Sequence, residues 1–416
     1  MVEHLFREEA GKMVAILTHI FGVENLSLAE DVVQDALARA LQTWPFHGVP
    51  ENPAAWIMRA ARNRALDVVR REKVFREKEP EIIRLMDADV GTPAAAVLAE
   101  QEIADDRLRL MFVCSHPLVP VEVQAALALK TLCGFSVTEI ARAFLTTEAA
   151  IAKRLTRAKQ RIREAQIAFE IPVGEELTPR LDGVLQSLYL LFNEGYSASS
   201  GIDLIRYEIC EEAIRLAEII ATHAAIKDKW QVYALLALMQ LNACRLKARQ
   251  DKDGNILTLE QQDRSLWDLA LMEKGFINLD KSAYAEQITS YHILASISAY
   301  HCATINHKPA DWVSILNLYD SLIKLDNSPV VLLNRAIALA KVNGAAKAIE
   351  ELEKIKNAPT LKTYHLFYST QATLYMDTEQ FPKAVSALRA AIEFAPLQAE
   401  KKLLHKQMAL CLEKIT

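Results

Sequence analysis

The sequence predicts an all-α protein with more than one domain. Gly (12) and Pro (14) are too scarce among 416 residues for a turn-rich β fold. Ala, Leu, Glu, Lys and Arg, which favour helices, dominate the chain. Apolar residues recur at helical spacing along most of it. A chain of this length is expected to hold two to four domains.

Composition excludes several classes of protein. Hydrophobic residues make up 51% and charged residues 24%, so the chain can build cores and is not disordered. Six scattered Cys without a CxxC pair argue against a disulfide framework or a zinc site. No apolar targeting segment opens the chain, and the longest uncharged run, 287–307, is too polar to span a membrane. We therefore expect a cytoplasmic protein without a membrane partner.

Charge is strongly patterned although the net charge is only −5. Residues 59–76 hold seven basic and two acidic residues, residues 77–106 hold two and nine, and residues 153–163 hold six and none. This order predicts two cationic modules, 1–76 and 107–170, joined by an acidic linker at 77–106. A break in the helical pattern at 171–180 predicts a helical C-terminal domain at 175–416.

The first module contains a predicted amphipathic helix at 28–44. Its apolar stripe comprises Val32, Val33, Ala36, Leu37, Ala40 and Leu41. Its outward positions are Asp31, Gln34, Asp35 and Arg39. Taken alone, this pattern is that of an ordinary amphipathic helix.

A second predicted helix, 56–73, has an apolar arc opposite a basic face. The basic face comprises Trp56, Arg59, Arg62, Asn63, Arg64, Asp67, Arg70 and Arg71. A basic helix that starts with an aromatic residue can hold phosphates and stack on an unpaired base. A Trp at a helix start can equally pack on its own domain, and the pattern alone leaves both readings open.

Residues 135–163 have the pattern of a helix-turn-helix. Ser136 and Glu139 predict a capping box on the first helix, and Thr147 predicts the cap of the second. In the second helix, an apolar stripe of Ile151, Leu155, Ala158 and Ile162 lies opposite Lys153, Arg154, Arg157 and Arg161. One side is suited to packing and the other to phosphates and base edges, as in a recognition helix that enters the major groove.

The last hundred residues are similar to one another at a spacing of 36. Tyr368, Ala372, Tyr375, Ala384 and Leu388 repeat the slots of Leu332, Ala336, Leu339, Ala348 and Leu352. This alternation of large and small residues predicts a tetratricopeptide-like (TPR-like) array of helices. An irregular helical bundle with Ala-rich seams is the alternative.

No catalytic signature stands out. HExxH, GxxxxGK[ST], GxGxxG and His/Cys clusters are all missing from the sequence, so we expect no enzyme, no cofactor and no metal site. One unusual segment is FNEGY, whose Asn193, Glu194 and Tyr196 are candidates for a regulatory polar site. A loop that is hydrogen-bonded to its own scaffold is the favoured reading.

Taken in order, these motifs resemble a bacterial sigma-70 family factor of the extracytoplasmic-function (ECF) class. AEDVVQDALARAL and NPAAWIMRAARNRALDVVRRE resemble that family's domain two, and EIARAFLTTEAAIAKRLTRAKQRIRE resembles its domain four. YLLFNEGYSASSG and the repeat-like segment 328–344 resemble a subgroup with a long TPR-like C-terminal extension. The resemblance thus covers essentially the whole chain.

The resemblance implies a sigma factor without catalysis of its own. Its partners would be promoter DNA and core RNA polymerase, through the β′ clamp helices and the β flap. The polymerase contacts would be Asp31, Gln34, Asp35 and Arg39, and the −10 contacts would be the basic face that starts at Trp56. The −35 contacts would be Thr146, Thr147, Lys153, Arg154, Arg157 and Arg161. The extension would replace a separate anti-sigma factor, and relatives with such extensions often occur beside small YCII-like proteins.

The turn of the helix-turn-helix departs from the family pattern. Leu145 stands where Gly is usual, and Thr146 stands where an aliphatic residue is usual. A non-Gly residue in a left-handed turn costs about 1 kcal/mol or more, so the sequence allows a turn of a different shape.

Two other functions are compatible with parts of the sequence. A helix-turn-helix regulator with a TPR-like sensor would bind duplex DNA without polymerase, but it would not explain the domain-two motifs. A peptide-binding scaffold would leave residues 1–170 unexplained.

Overall fold

A computed structural model describes residues 2–71, 80, 82–83, 106–172, 176–198, 204–223, 226–252, 254–303 and 310–415. The predicted all-α fold is confirmed, since helices dominate these ranges and their only β pairing is an isolated bridge between Gln250 and Ile256. The chain divides into two compact units, the N-terminal unit Met1–Leu191 and the C-terminal unit Phe192–Thr416. The predicted linker lies outside the described residues except at 80, 82–83 and 106. The predicted domain boundaries stay predictions.

The N-terminal unit contains seven described helices and most of an eighth. They are α1 (Val2–Phe21), α2 (Leu26–His47), α3 (Pro53–Arg71), α4 (106–114), α5 (Val121–Leu132), α6 (Val137–Ala143), α7 (Glu148–Ala165) and α8 (Leu177–Tyr196), which continues into the C-terminal unit. The first three pack on one another, as α5, α6 and α7 do. Each group thus forms a small helical module, in the order that the charge pattern predicts.

The two modules meet along a seam formed by Gly11, His19, Glu30, Asp106, Leu132 and Lys159. Gly11 lets α1 approach the end of α5, because a Cβ atom there would overlap the carbonyl oxygen of Leu132. His19 Nδ1 lies 3.0 Å from a carboxylate oxygen of Asp106, and Arg109 donates to the other oxygen at 2.7 Å. Lys159 of α7 pairs with Glu30 of α2.

The C-terminal unit is a succession of helices. They are α9 (Tyr207–Thr222), α10 (Trp230–Ala243), α11 (Leu269–Ser282), α12 (Ser290–Cys302), α13 (Trp312–Leu322), α14 (Pro329–Asn343), α15 (Ala345–Ile355), α16 (His365–Asp377), α17 (Phe381–Phe394) and α18 (Gln398–Glu413). Each packs on the next along the chain, and α10 also packs on α12.

The predicted repeat falls on two pairs of neighbouring helices, α14–α15 and α16–α17. Three pairs of positions 36 residues apart are buried alike: Ala336 with Ala372, Ala348 with Ala384, and Leu352 with Leu388. Small residues at these slots let the paired helices approach closely. The burial agrees with the predicted spacing, and the TPR assignment itself stays a prediction.

The C-terminal unit contains a half-buried titratable group, His301, near the end of α12. Burial, reinforced by the positive charge of Arg245, lowers the pKa of His301 from 6.5 to about 4. The His301 ring meets the edge of Trp312, with 5.6 Å between centroids. Between pH 6.5 and 4 the unfolded chain binds a proton that the folded chain does not, so stability falls as the pH falls through this window.

We predict that acidification from pH 7 to pH 4 lowers the free energy of unfolding by about 3 kcal/mol through His301 alone. The His301→Gln variant should therefore lose less stability on acidification than the wild type. Urea unfolding of full-length protein at both pH values, followed by Trp fluorescence, measures this difference. The matched control is His405→Gln at an exposed site. An acid sensitivity of His301→Gln equal to that of the wild type would contradict the prediction.

Candidate nucleic-acid interface

The helix-turn-helix begins with the predicted capping box. Ser136 Oγ accepts from the Glu139 backbone N–H at 3.1 Å, and Glu139 Oε2 accepts from the Ser136 N–H at 2.8 Å. Thr147 Oγ1 accepts from the Ala150 N–H at 3.3 Å and caps α7. Both predicted caps are confirmed. They could be predicted from the sequence because each cap depends on residues three positions apart.

The turn keeps a left-handed residue although Gly is missing. Leu145 has a φ of 49°, and the backbone N–H of Thr146 donates to the Ala141 carbonyl at 2.8 Å. The left-handed conformation of a Leu costs about 1 kcal/mol, which the packing of α6 and α7 must offset.

Helix α7 separates its two faces as the sequence predicts. Ile151, Leu155, Ala158 and Ile162 are buried, whereas Lys153, Arg154, Arg157 and Arg161 are exposed. Thr147 is exposed and Thr146 is half-buried. The exposed cations provide a positive surface for phosphates and base edges. Lys159 lies apart from this set, because it pairs with Glu30 in the seam.

Helix α3 carries the second basic face. Arg59, Asn63, Asp67, Arg70 and Arg71 are exposed, and Arg62 is half-buried. Arg64 donates to Asp35 at 2.7 Å, so one predicted −10 contact touches one predicted polymerase contact. Trp56 is half-buried and meets the edge of Trp44 at 5.6 Å between centroids. Trp56 therefore packs on its own module, which was one of the two readings.

Helix α2 exposes Asp31, Gln34, Asp35 and Arg39 as predicted. The expectation that Leu41 belongs to the buried stripe is wrong, because its side chain is 61% exposed near the end of the helix. Phe46 is 84% exposed, and Val49 is also exposed. The sequence analysis did not predict that Leu41, Phe46 and Val49 would be exposed. The available signal was that large apolar residues continue along the chain beyond the last turn of the apolar stripe.

FNEGY forms the last turn of α8 and is not a loop. Buried Glu194 pairs with Arg206 at 3.2 Å, and a Cβ atom on Gly195 would lie 2.8 Å from the backbone nitrogen of Cys210. The Tyr196 ring lies under the Arg249 guanidinium at 3.7 Å from its centroid, and its hydroxyl accepts from Arg245 at 3.0 Å. These contacts fasten the segment to its own unit, as the favoured reading expects. The side chain of Asn193 is half-buried, and its backbone carbonyl accepts from the Ser197 N–H at 2.9 Å.

Metal-binding clusters and membrane-spanning helices are both absent from the part of the chain that the structure describes. Among the described residues, no group of three or more His, Cys, Asp or Glu side chains could hold a metal ion. In the same ranges no helix has the length and apolar character needed to cross a membrane.

Comparison with known proteins assigns the two modules. The Sigma-70 region 2 family matches residues 5–74, and the Sigma-70 region 4 family matches residues 112–162. The chain belongs to the sigma-70 family of sigma factors. An uncharacterized protein of Rhizobium meliloti (strain 1021) is 37% identical over 384 residues, which cover 92% of this chain and 90% of that protein. Residues 180–283 match a family of unknown function, DUF6596, and no solved structure matches the chain.

Membership of this family assigns the activity in outline. The protein is a sigma factor, which acts in promoter recognition and transcription initiation and is not an enzyme. Its sigma-70 regions imply binding to core RNA polymerase and to promoter DNA. The exposed basic faces of α3 and α7 are surfaces suited to the DNA part of this role.

We predict that Arg154→Ala combined with Arg157→Ala weakens promoter binding by the sigma factor–polymerase complex roughly 10-fold to 100-fold. Both side chains are exposed on α7, so fewer phosphate or base contacts would form. The slope of log affinity against log salt should fall by up to about 2 if both contact phosphates. Filter binding over a salt series measures both quantities. The double variant Lys402→Ala, Lys406→Ala removes two exposed cations of α18 and should change neither.

We predict that Glu194→Ala lowers the free energy of unfolding of the sigma factor by about 3 kcal/mol, because it breaks a buried ion pair. Urea unfolding of the full-length chain measures the loss. Glu211→Ala, on the exposed face of α9, is the control and should cost little. Unchanged stability together with altered transcription would instead restore the reading of FNEGY as a polar functional site.

Proposed function

We propose that this sigma factor is of the ECF class and works in the cytoplasm. Helix α2 would dock on the β′ clamp helices of core polymerase, α3 would contact the −10 element, and the module of α5, α6 and α7 would reach the −35 element and the β flap. The observation that carries the proposal is the division of α7, whose apolar side is buried while four cations lie exposed opposite it. The short stretch of sequence between the two matched sigma-70 regions, 5–74 and 112–162, agrees with this class.

Promoter binding requires the N-terminal unit to open. Elements at −10 and −35 are separated by about 2.5 helical turns, or roughly 85 Å of duplex. A compact unit of this length has a radius of gyration of about 16 Å, so its two basic faces cannot reach both elements while the seam is closed. Assembly with polymerase would therefore separate Lys159 from Glu30 and His19 from Asp106.

The seam is suited to reversible opening. Its contacts include the Lys159–Glu30 ion pair and the His19–Asp106 hydrogen bond, whose members regain water when the modules part, which limits the free energy lost. Polymerase contacts on α2 would supply the differential binding energy that favours the open state, since a partner shifts an equilibrium only by its preference for one state.

The C-terminal unit would regulate the sigma factor in place of a separate anti-sigma factor, and a small YCII-like protein is a candidate partner. FNEGY supports this role because it lies where the second unit begins and is tied to α9 and to the residues after α10. Glu194→Ala would disturb these contacts of FNEGY. If this variant binds polymerase more tightly than the wild type, the C-terminal unit restrains the sigma factor. A lower affinity would mean that the unit assists it, and equal affinity in a destabilised variant would contradict regulation.

We predict that Asp31→Ala, Gln34→Ala and Arg39→Ala together weaken binding to core polymerase at least 10-fold. The three side chains are exposed on α2, so their loss should leave thermal stability unchanged. Competition of full-length protein against the major sigma factor for core polymerase measures the affinity. The control variant, Lys347→Ala with Glu350→Ala, changes two exposed positions of α15.

Wild-type protein that failed to compete while shifting duplex DNA alone would overturn polymerase docking. That result would favour a helix-turn-helix regulator that acts without polymerase.

A further inference from the structure

Two thiols meet inside the C-terminal unit. Cys244 directly follows α10 and Cys302 ends α12, and their Sγ atoms are 3.9 Å apart. Cys302 is 0% exposed and Cys244 is 1% exposed. Both thiols lie against the carbonyl oxygen of Leu241, at 3.1 Å from Cys244 Sγ and 3.3 Å from Cys302 Sγ. The pair is thus held in contact by two helix ends that are 58 residues apart in the chain.

We propose that Cys244 and Cys302 form a reversible disulfide when the protein meets a hydroperoxide. A disulfide bond is about 2.05 Å long, so the sulfur atoms must approach by roughly 2 Å, which side-chain rotation at two helix ends can supply. A cytoplasmic disulfide of this kind is transient and signals oxidation, because cellular thiols reduce it afterwards.

The surroundings give the two thiols different roles. The hydrogen bond between the two thiols, together with the positive charges of Arg245 and Arg264, lowers the pKa of Cys302, although burial opposes this. The same hydrogen bond, with burial, raises the pKa of Cys244. Cys302 is therefore the better thiolate and the first nucleophile, and Cys244 is the resolving thiol.

The chemistry proceeds in two balanced steps. The Cys302 thiolate attacks the terminal oxygen of the hydroperoxide, the O–O bond breaks, and the departing oxygen takes a proton and leaves as an alcohol or as water. Cys302 is now a sulfenic acid. The Cys244 sulfur then attacks the Cys302 sulfur, the S–O bond breaks, and the hydroxide leaves as water with the Cys244 proton. Two thiols have lost two electrons, and the hydroperoxide has gained them.

The disulfide would change the contacts that hold FNEGY at the end of α8. Cys244 directly precedes Arg245, which donates to the Tyr196 hydroxyl at 3.0 Å and to Asn242 Oδ1 at 2.7 Å. Pulling Cys244 toward α12 displaces the end of α10 from which Arg245 reaches this hydroxyl. This last step rests on the proposed regulatory function, whereas formation of the disulfide does not.

The test treats full-length protein with hydrogen peroxide, blocks remaining thiols by alkylation in denaturant, and maps peptides by mass spectrometry without reductant. The expected product is a peptide pair joined through Cys244 and Cys302, two hydrogens lighter than the reduced pair and cleaved by dithiothreitol. A cross-link across this loop should raise the thermal midpoint by roughly 10 °C. Full alkylation of both residues after peroxide treatment would overturn the proposal.

Three variants assign the roles. Cys244→Ser should leave a sulfenic acid on Cys302 that dimedone traps, Cys302→Ser should leave Cys244 reduced, and Cys210→Ser should form the disulfide as the wild type does. Burial raises the pKa of Cys210 to about 12, which suits this control. If the Cys302→Ser variant formed a disulfide at Cys244 in the same yield as the wild type, the pairing of Cys244 with Cys302 would be overturned. If the disulfide forms but oxidised and reduced proteins bind polymerase equally, only the link to regulation fails, while polymerase binding itself still tests the proposed function.

Discussion

The seam between the two sigma modules is the constraint on which the N-terminal unit depends. Asp106 is only 1% exposed, and a carboxylate that deep must be paired. Arg109 from its own helix and His19 from α1 supply that pairing. Gly11 completes the seam, since a side chain there would keep α1 away from α5. The apolar sides of both modules are buried in consequence, and the basic sides of α3 and α7 remain outside.

This arrangement separates two requirements of a sigma factor. In the structure α1 of the first module packs on α5 of the second, so each module covers part of the other's surface. In the proposed promoter complex the same modules would lie far apart, so the contacts of the seam would have to break. The Lys159–Glu30 ion pair suits the seam to parting, because water stabilises both side chains once they separate.

The contacts that hold Tyr196 and the contact between two thiols lie close together in the C-terminal unit. Arg245 and Arg249 hold Tyr196 at the end of α8, and Cys244 and Cys302 meet one residue away from Arg245. Elsewhere the helices of the unit pack through apolar side chains, among which Ala and Leu are the most frequent buried residues.

The sequence by itself determined the helices, their caps and the faces of α7, because these depend on residues three or four positions apart. The order of motifs also determined the family. Only the tertiary structure decided that Leu41 is exposed, that Trp56 packs on Trp44, and that FNEGY is a fastened helix end. The contact of Lys159 with Glu30 spans 129 positions, and that of Cys244 with Cys302 spans 58. Such contacts depend on how whole helices pack, and no local sequence pattern predicts that packing.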